Sequence, residues 1–452
     1  MKKKLTVQEY VVVASMLFGL FFGAGNLIFP VHMGQMAGSQ LVPATLGFLI
    51  TGVGLPLLSV AALGISKSEG LFDLSRKVSR PYAYFFTCLL YLTIGPFFAI
   101  PRCATTAFTV GIEQAVPHAA ERLQLWLLVF SAVFFAAALL FSLFPGKILT
   151  WVGKILYPFF LLFLGILIIV ALVKPSAAIS AVAPEGAYAS QAFSTGFLEG
   201  YNTMDVLAGL AFGIIVVQVI RELGVTDADA VASSTVKAGV LSSLLMALIY
   251  LAVTVVGAQS RGLFATSENG GIALAQIARH YLGSAGLVIL AATVTLACLK
   301  TSVGLITSCA ETFCGMFPKG PKYRAWAVLF TLISFALSNF GLSTIISYSV
   351  PVLMFLYPLA IALVLLALFG RFYRHDRAVY ISVIVCTLLA ALYDLICALP
   401  EGLYDALHAD AVQAFGLCVL PFAGAGLGWI CPLALGFVIG LAVHLMQKFR
   451  TK

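Results

Sequence analysis

Phe22-Gly23-Ala24-Gly25-Asn26-Leu27-Ile28-Phe29-Pro30 interrupts the first apolar run of the chain, residues 11–36. Two glycines, an asparagine and a proline in mid-run are poor helix material. If the run crosses a bilayer, unwinding there exposes N–H and C=O groups at several kcal/mol each. Such a break survives only where it lines a cavity or is buried in protein. Freed carbonyls can then hold a cation, and the N-terminus of a half-helix can hold a carboxylate. On glycine spacing alone, a kinked packing helix explains the stretch equally well.

The composition says that the runs do cross a bilayer. Of 452 residues, 61% are hydrophobic and 10% charged, against about 45–50% and about 25% in soluble domains. There is too little charge to cover soluble domains of this total length. A cytosolic enzyme, a disordered chain and a secreted disulfide scaffold are excluded. Uncharged or nearly uncharged runs cover residues 11–36, 41–66, 81–110, 123–144, 155–173, 200–220, 238–260, 282–310, 325–340, 343–370, 378–399 and 428–446. With roughly 20 residues per crossing, this predicts an all-α polytopic membrane protein of twelve transmembrane helices. Residues 402–427 are half apolar and rich in Gly and Pro, and read as a loop, a re-entrant piece or a surface helix. No soluble module is left, so residues 1–452 form one integral membrane domain. The nine cysteines form no metal-binding pattern and read as small apolar fillers.

The sixth run supplies a second interruption, Glu199-Gly200-Tyr201-Asn202-Thr203-Met204-Asp205-Val206-Leu207-Ala208-Gly209. Glycines again flank polar residues, and a carboxylate inside a span is costly and points to a functional site. Breaks in runs one and six suit two five-helix repeats of opposite topology with a site at their midplane interface. The repeats would cover about residues 8–173 and about 193–370, with further helices over about 378–447. In the eighth run, Cys298, Thr301 and Ser302 fall at i, i+3 and i+4, on one helix face. Two hydroxyls with nearby carbonyls suit a small hard cation, although such hydroxyls also bond back to their own helix. Beyond Asp205, the charges inside runs are Arg102, Lys300 and Asp394.

The net charge of +8 reads as an orientation signal rather than as affinity for nucleic acid. Basic residues cluster on the N-terminal side: Lys2, Lys3 and Lys4; Lys67, Arg76, Lys77 and Arg80; Arg371, Arg374 and Arg377; Lys448, Arg450 and Lys452. The other side holds only scattered ones such as Arg122, Lys174, Arg261 and Arg279. The positive-inside rule then puts both termini in the cytoplasm. No cleavage site follows a short apolar core, so the first run reads as a retained span.

Four stretches together, FGAGNLIFP, GPFFAIPR (95–102), EGYNTMDVLAGLAFG (199–213) and ACLKTSVGL (297–305), resemble the bacterial branched-chain amino acid:cation symporters, the BrnQ-type carriers of the amino acid–polyamine–organocation superfamily. The resemblance runs over essentially the whole chain. It implies the leucine-transporter fold, a place in the bacterial cytoplasmic membrane, and symport of leucine, isoleucine or valine with sodium. Sodium would be the co-transported cation, and no cofactor is implied. Gly23, Ala24, Gly25 and Asn26 would face the substrate carboxylate. Tyr201, Asn202, Thr203 and Asp205 would form the second half of the cradle, with Asp205 meeting either the ammonium or a second cation. The cation would lie among the carbonyls of Gly19, Phe22 and Cys298 and the hydroxyls of Thr301 and Ser302. Arg102 either closes an outer gate or reaches the lipid headgroups. Lys300 either points away from the site or points inward, where its ammonium would replace sodium and coupling would pass to protons or be lost. A channel would show filter-like repeats. A membrane enzyme would show HExxH, a nucleophile elbow or paired carboxylates in one span. The chain has none of these motifs.

Overall fold

The computed structural model describes residues 4–66, 68, 70–115, 122–144 and 147–450, with backbone only for 20, 147–158, 228 and 448–450. The expected inside-facing residues Lys2, Lys3, Lys67 and Lys452 lie outside the described residues. Among the described residues every regular element is helical. Eight helices are long and apolar enough to cross a membrane, and nine if a pair bent by 43° counts as one span. With the shorter apolar helices, they follow the order of the twelve expected spans.

Span 1 is two half-helices, 1a (Val7–Phe21) and 1b (Gly25–Ala37). Span 1a opens on a capping box, with the Thr6 hydroxyl and the Glu9 carboxylate each taking the other's backbone N–H. It ends where Phe22 turns extended (φ −73°, ψ 100°). Span 2 runs over Leu41–Leu49 and Leu55–Ser66 with a wide turn at Ile50–Gly54. Span 3 is Arg80–Leu92 and Ala99–Val110, bent at Gly95 and Pro96. Spans 4 and 5 are Leu123–Leu143 and Lys147–Val173.

Span 6 differs from the sequence expectation. Its first half, 6a (Tyr188–Glu199), lies mostly in a stretch that reads as an outer loop. A short turn over Gly200–Thr203 and a left-handed Met204 (φ 61°) separate it from 6b (Asp205–Glu222). Span 7 is Ala228–Ser260. Span 8 is the long part of Gly270–Met316 after a bend at Gly283 (φ 66°). Spans 9 to 12 are Tyr323–Ser338, Leu342–Phe369, Arg377–Cys397 and Ile430–Arg450. The segment between the last two folds as Glu401–Ala406, Asp410–Val419 and a turn at Ala423–Ala425. That turn packs onto span 6a, Gly426 lying against Leu198 and Met354. It therefore reaches the depth of the span 6 break.

The packing shows the two-fold exchange of an inverted repeat. Span 1 packs on span 7, and span 6 on span 2. Span 3 packs on span 8, span 4 on spans 8 and 9, and span 9 on span 3. Spans 1, 2, 6 and 7 thus form one group, spans 3, 4, 8 and 9 another, and spans 5 and 10 touch both. The first group is held by close helix approach. A Cβ on Gly34 of span 1b would strike the Thr254 carbonyl of span 7, and one on Gly257 would strike the Val31 carbonyl. Small residues at such contacts let apolar helices pack where no water drives them together.

Candidate substrate and cation site

The two breaks meet in the first helix group. Asn26, one residue into span 1b, donates its side-chain Nδ2 to Asp205 Oδ2 at 2.6 Å and also to the Tyr250 hydroxyl of span 7. Tyr250 donates to the same Asp205 oxygen at 3.1 Å. Asn26 Oδ1 accepts the Gly23 N–H at 2.8 Å and so fixes the turn that ends span 1a. One asparagine therefore holds its own break open and ties it to the other. Asp205 is 2% exposed and stands at the first position of span 6b. Its charge faces the positive end of that helix, which is favourable. The Met204 backbone conformation is rare for a non-glycine residue and marks the break as held by its surroundings.

The N-terminus of span 1b lies on the other side of the same space. Of its first four amides, those of Leu27 and Ile28 bond the Ala24 carbonyl at 3.2 Å each, which leaves those of Gly25 and Asn26 at the mouth of the helix. Pro30 has no N–H, so the helix makes no bond back to the Asn26 carbonyl. Arg102 of span 3 reaches this point. It is 4% exposed, its guanidinium carbon lies 5.0 Å from the centre of the Phe29 ring, and Nη2 would lie 3.2 Å from a Cβ on Gly25. Its Nη1 has no hydrogen-bond partner. Asp205 and Glu199 are within electrostatic reach. Arg102 is therefore buried at the site and does not reach the headgroups.

The remaining cradle residues come together as follows. Thr203 donates its hydroxyl to the Gly200 carbonyl (2.9 Å), and Asn202 donates to Glu199 Oε2 (3.3 Å). Tyr201 points away, stacked on Tyr357 of span 10 with ring centres 4.0 Å apart. A small apolar cavity of ≈ 10 Å³ adjoins Gly23 and Ala24, lined by Phe22, Leu27, Phe160, Val294, Ala297 and Cys298. It has room for about one water, so an aliphatic side chain needs it to widen.

The residues expected to hold a cation are only partly brought together. Thr301 lies beside span 1, but its methyl, not its hydroxyl, faces Gly23 (3.9 Å from a Cβ placed there). Its hydroxyl bonds back to the Ala297 carbonyl at 3.0 Å. The Ser302 hydroxyl is buried and, like Cys298, is approached by Cys103 of span 3. Lys300 does not point away from span 1. Its Nζ would lie 4.0 Å from a Cβ on Gly19. With Gly19, Thr301 and residues of spans 5, 6b and 7, it lines a cavity of ≈ 780 Å³. That cavity flanks span 1a, on the side of the N-terminus. The opposite side is strapped. Glu185 binds Arg261 at 2.5 Å, and its backbone N–H bonds the Met36 carbonyl at the end of span 1b.

Tyr250, Glu199, Phe29, Phe160 and Val294 belong to this site and were not singled out in the sequence. Glu199, at the head of the stretch EGYNTMDVLAGLAFG, is the most recognisable of them from sequence.

The family described as branched-chain amino acid transport protein matches residues 6–447. The chain belongs to this family. Among its relatives, the branched-chain amino acid permease BrnQ of Lactobacillus delbrueckii subsp. lactis is 53% identical over 450 residues, covering 100% of both chains. The BrnQ permease of Bacillus subtilis strain 168 is 39% identical over 453 residues, again covering 100% of both. That of Escherichia coli K12 is 37% identical over 441 residues, covering 98% of this chain and 97% of its own. Family members such as these are named as permeases, not as enzymes. In fold, the chain is similar to the inward-facing conformation of Mhp1, with a TM-score of 0.62 at 15% identity, covering 98% of this chain and 91% of that one. Mhp1 in a closed conformation, described as a nucleobase-cation-symport-1 family transporter, gives a TM-score of 0.58 at 14% identity, covering 98% and 93%. The family member described here thus has the leucine-transporter fold that its sequence motifs imply.

Proposed function

We propose that the protein imports leucine, isoleucine and valine across the bacterial cytoplasmic membrane by alternating access, coupled to a sodium gradient, with both termini in the cytoplasm. The observation that carries this reading is the opposed pair of poles at the joined breaks. Arg102 and the Gly25 and Asn26 amides of span 1b suit a carboxylate. Asp205, held by Asn26 and Tyr250, suits an ammonium group a few ångströms away. An α-amino acid carries both groups on one carbon. The apolar cavity at Phe22, Leu27, Phe160 and Val294 supplies the place for its aliphatic chain. One methylene in such a pocket is worth about 1–3 kcal/mol, so all three amino acids would be accepted.

Sodium would sit between Gly19, Phe22 and Cys298 carbonyls and the hydroxyls of Thr301 and Ser302. A turn of Thr301 about its Cα–Cβ bond would bring its oxygen where its methyl now stands. Two repeats, about 8–173 and about 193–370, would rock against each other around this site, with helices over about 378–447 beside them. The place of Lys300 next to Gly19 favours a second reading, in which its ammonium takes the position of the cation and uptake runs without sodium. Leucine uptake into liposomes with and without an imposed sodium gradient separates the two.

A further inference from the structure

Another acidic residue lies outside the site just described. Asp394, in the last turn of span 11, is 3% exposed, and its Oδ2 has no hydrogen-bond partner. Two more buried polar atoms lie in its neighbourhood. The Tyr201 hydroxyl is within electrostatic reach of Asp394 and faces the indole Nε1 of Trp429. Tyr201 is 2% exposed and Trp429 6%. Three elements thus converge: the span 6 break, span 11, and the segment that enters span 12. Buried polar groups are normally paired; the Tyr201 hydroxyl and the Trp429 N–H reach each other, while the Asp394 carboxylate oxygen beyond them is left without a partner and points to something that this place exchanges.

The donor set selects what that is. The indole offers only an N–H, the phenol can donate or accept, and the carboxylate accepts. A metal cation would find one carboxylate, one phenol and a facing N–H, too few ligands and one of the wrong sign. A proton suits the set. No charged side chain among the described residues acts on Asp394. The titratable groups facing it are Tyr201 across the packing and Tyr393 and Cys397 on its own helix. Spans 10 and 12 and the helix Asp410–Val419, which pack against span 11, bring no ion pair to it. A lone charge in such surroundings is costly, and taking up a proton removes that cost.

We propose that Asp394 is a proton-binding site whose occupancy is passed to the span 6 break through Tyr201. When ionised, its Oδ2 accepts the Tyr201 hydroxyl, which in turn accepts the Trp429 N–H. When the carboxylate takes a proton from solvent, an O–H bond forms, Tyr201 is released, and no other bond changes. Tyr201 is stacked on Tyr357 and belongs to the turn that leads into Met204 and Asp205. Its two positions therefore bias the geometry of the substrate cradle. The site is separate from the substrate and cation positions, and the proposal does not depend on which ion drives uptake.

The test measures leucine uptake by the reconstituted full chain at a fixed sodium gradient across pH about 5 to 8. pH-difference infrared spectra of the same proteoliposomes follow the carboxyl directly. The wild type is expected to change rate with pH and to show the C=O band of a buried carboxylic acid. Asp394→Asn should lose both, and Trp429→Phe should move the midpoint by at least about half a pH unit. A wild-type pH profile and band in Asp394→Asn would overturn the proposal. If Asp394→Asn does not fold, Asp394→Glu decides, since a moved midpoint and shifted band support the site and an unmoved pair contradicts it. Should leucine not be transported at all, the assigned substrate fails while the infrared band still tests Asp394.

Discussion

Asn26 bonds Asp205, Tyr250 and its own Gly23 at once, so the centre of the site depends on three side chains from three spans. Asp205→Asn keeps the shape and removes the charge that an ammonium would meet. Losing one partner of a buried charged pair costs about 2–5 kcal/mol. Leucine uptake is therefore expected to fall by at least about thirtyfold while the protein remains folded in size-exclusion and thermal-melt assays. Unchanged uptake would remove Asp205 from the substrate. Arg102→Lys keeps the positive charge but loses the planar fork beside Gly25, and the KM for leucine should rise about tenfold or more. An unchanged KM would confine Arg102 to packing on Phe29. These two residues were legible in the sequence because charge inside a span is rare and conspicuous. Tyr250 was not, being one of 16 tyrosines with partners set only by how span 7 meets spans 1 and 6. The same holds for Phe160 and Val294, which are ordinary apolar residues until the cavity places them side by side.

At the scale of elements, both broken helices could be read from glycine, proline and polar residues inside apolar runs. The start of span 6 could not. A half-helix of 12 residues, Tyr188–Glu199, is shorter than the roughly 20 that a full crossing needs, and its polar beginning reads as loop. The segment over residues 402–427 was ambiguous for the same reason. Its last turn is held at Gly426 by Leu198 and Met354, and its helix Asp410–Val419 is held at Gly416 by Tyr393 of span 11, rather than by local pattern. On span 8, the spacing of Thr301 and Ser302 placed them on one side of the helix but did not fix where each hydroxyl aims. Replacing both with Ala should raise the sodium concentration needed for half-maximal uptake by about tenfold, roughly the loss of one or two modest ligands. An unchanged sodium requirement would place the cation elsewhere.

Across the whole molecule, one four-helix group carries the joined breaks, and the other faces it through spans 3 and 8. The ≈ 780 Å³ cavity beside spans 1a, 6b and 8, together with the Glu185–Arg261 strap on the far side, describes a carrier open toward its N-terminal face. Ser308 lines that cavity. In a background with the native cysteines replaced, Ser308→Cys should react with a membrane-impermeant thiol reagent from the N-terminal face only, and more slowly once leucine and sodium are added. Reaction from the opposite face would contradict this orientation.

Uptake of labelled leucine by the purified protein in liposomes, with an inward sodium gradient and with the gradient absent, tests the central claim most directly. The account predicts accumulation that depends on the sodium gradient and is competed by isoleucine and valine. Accumulation indifferent to sodium, or no competition from the other two, would contradict it.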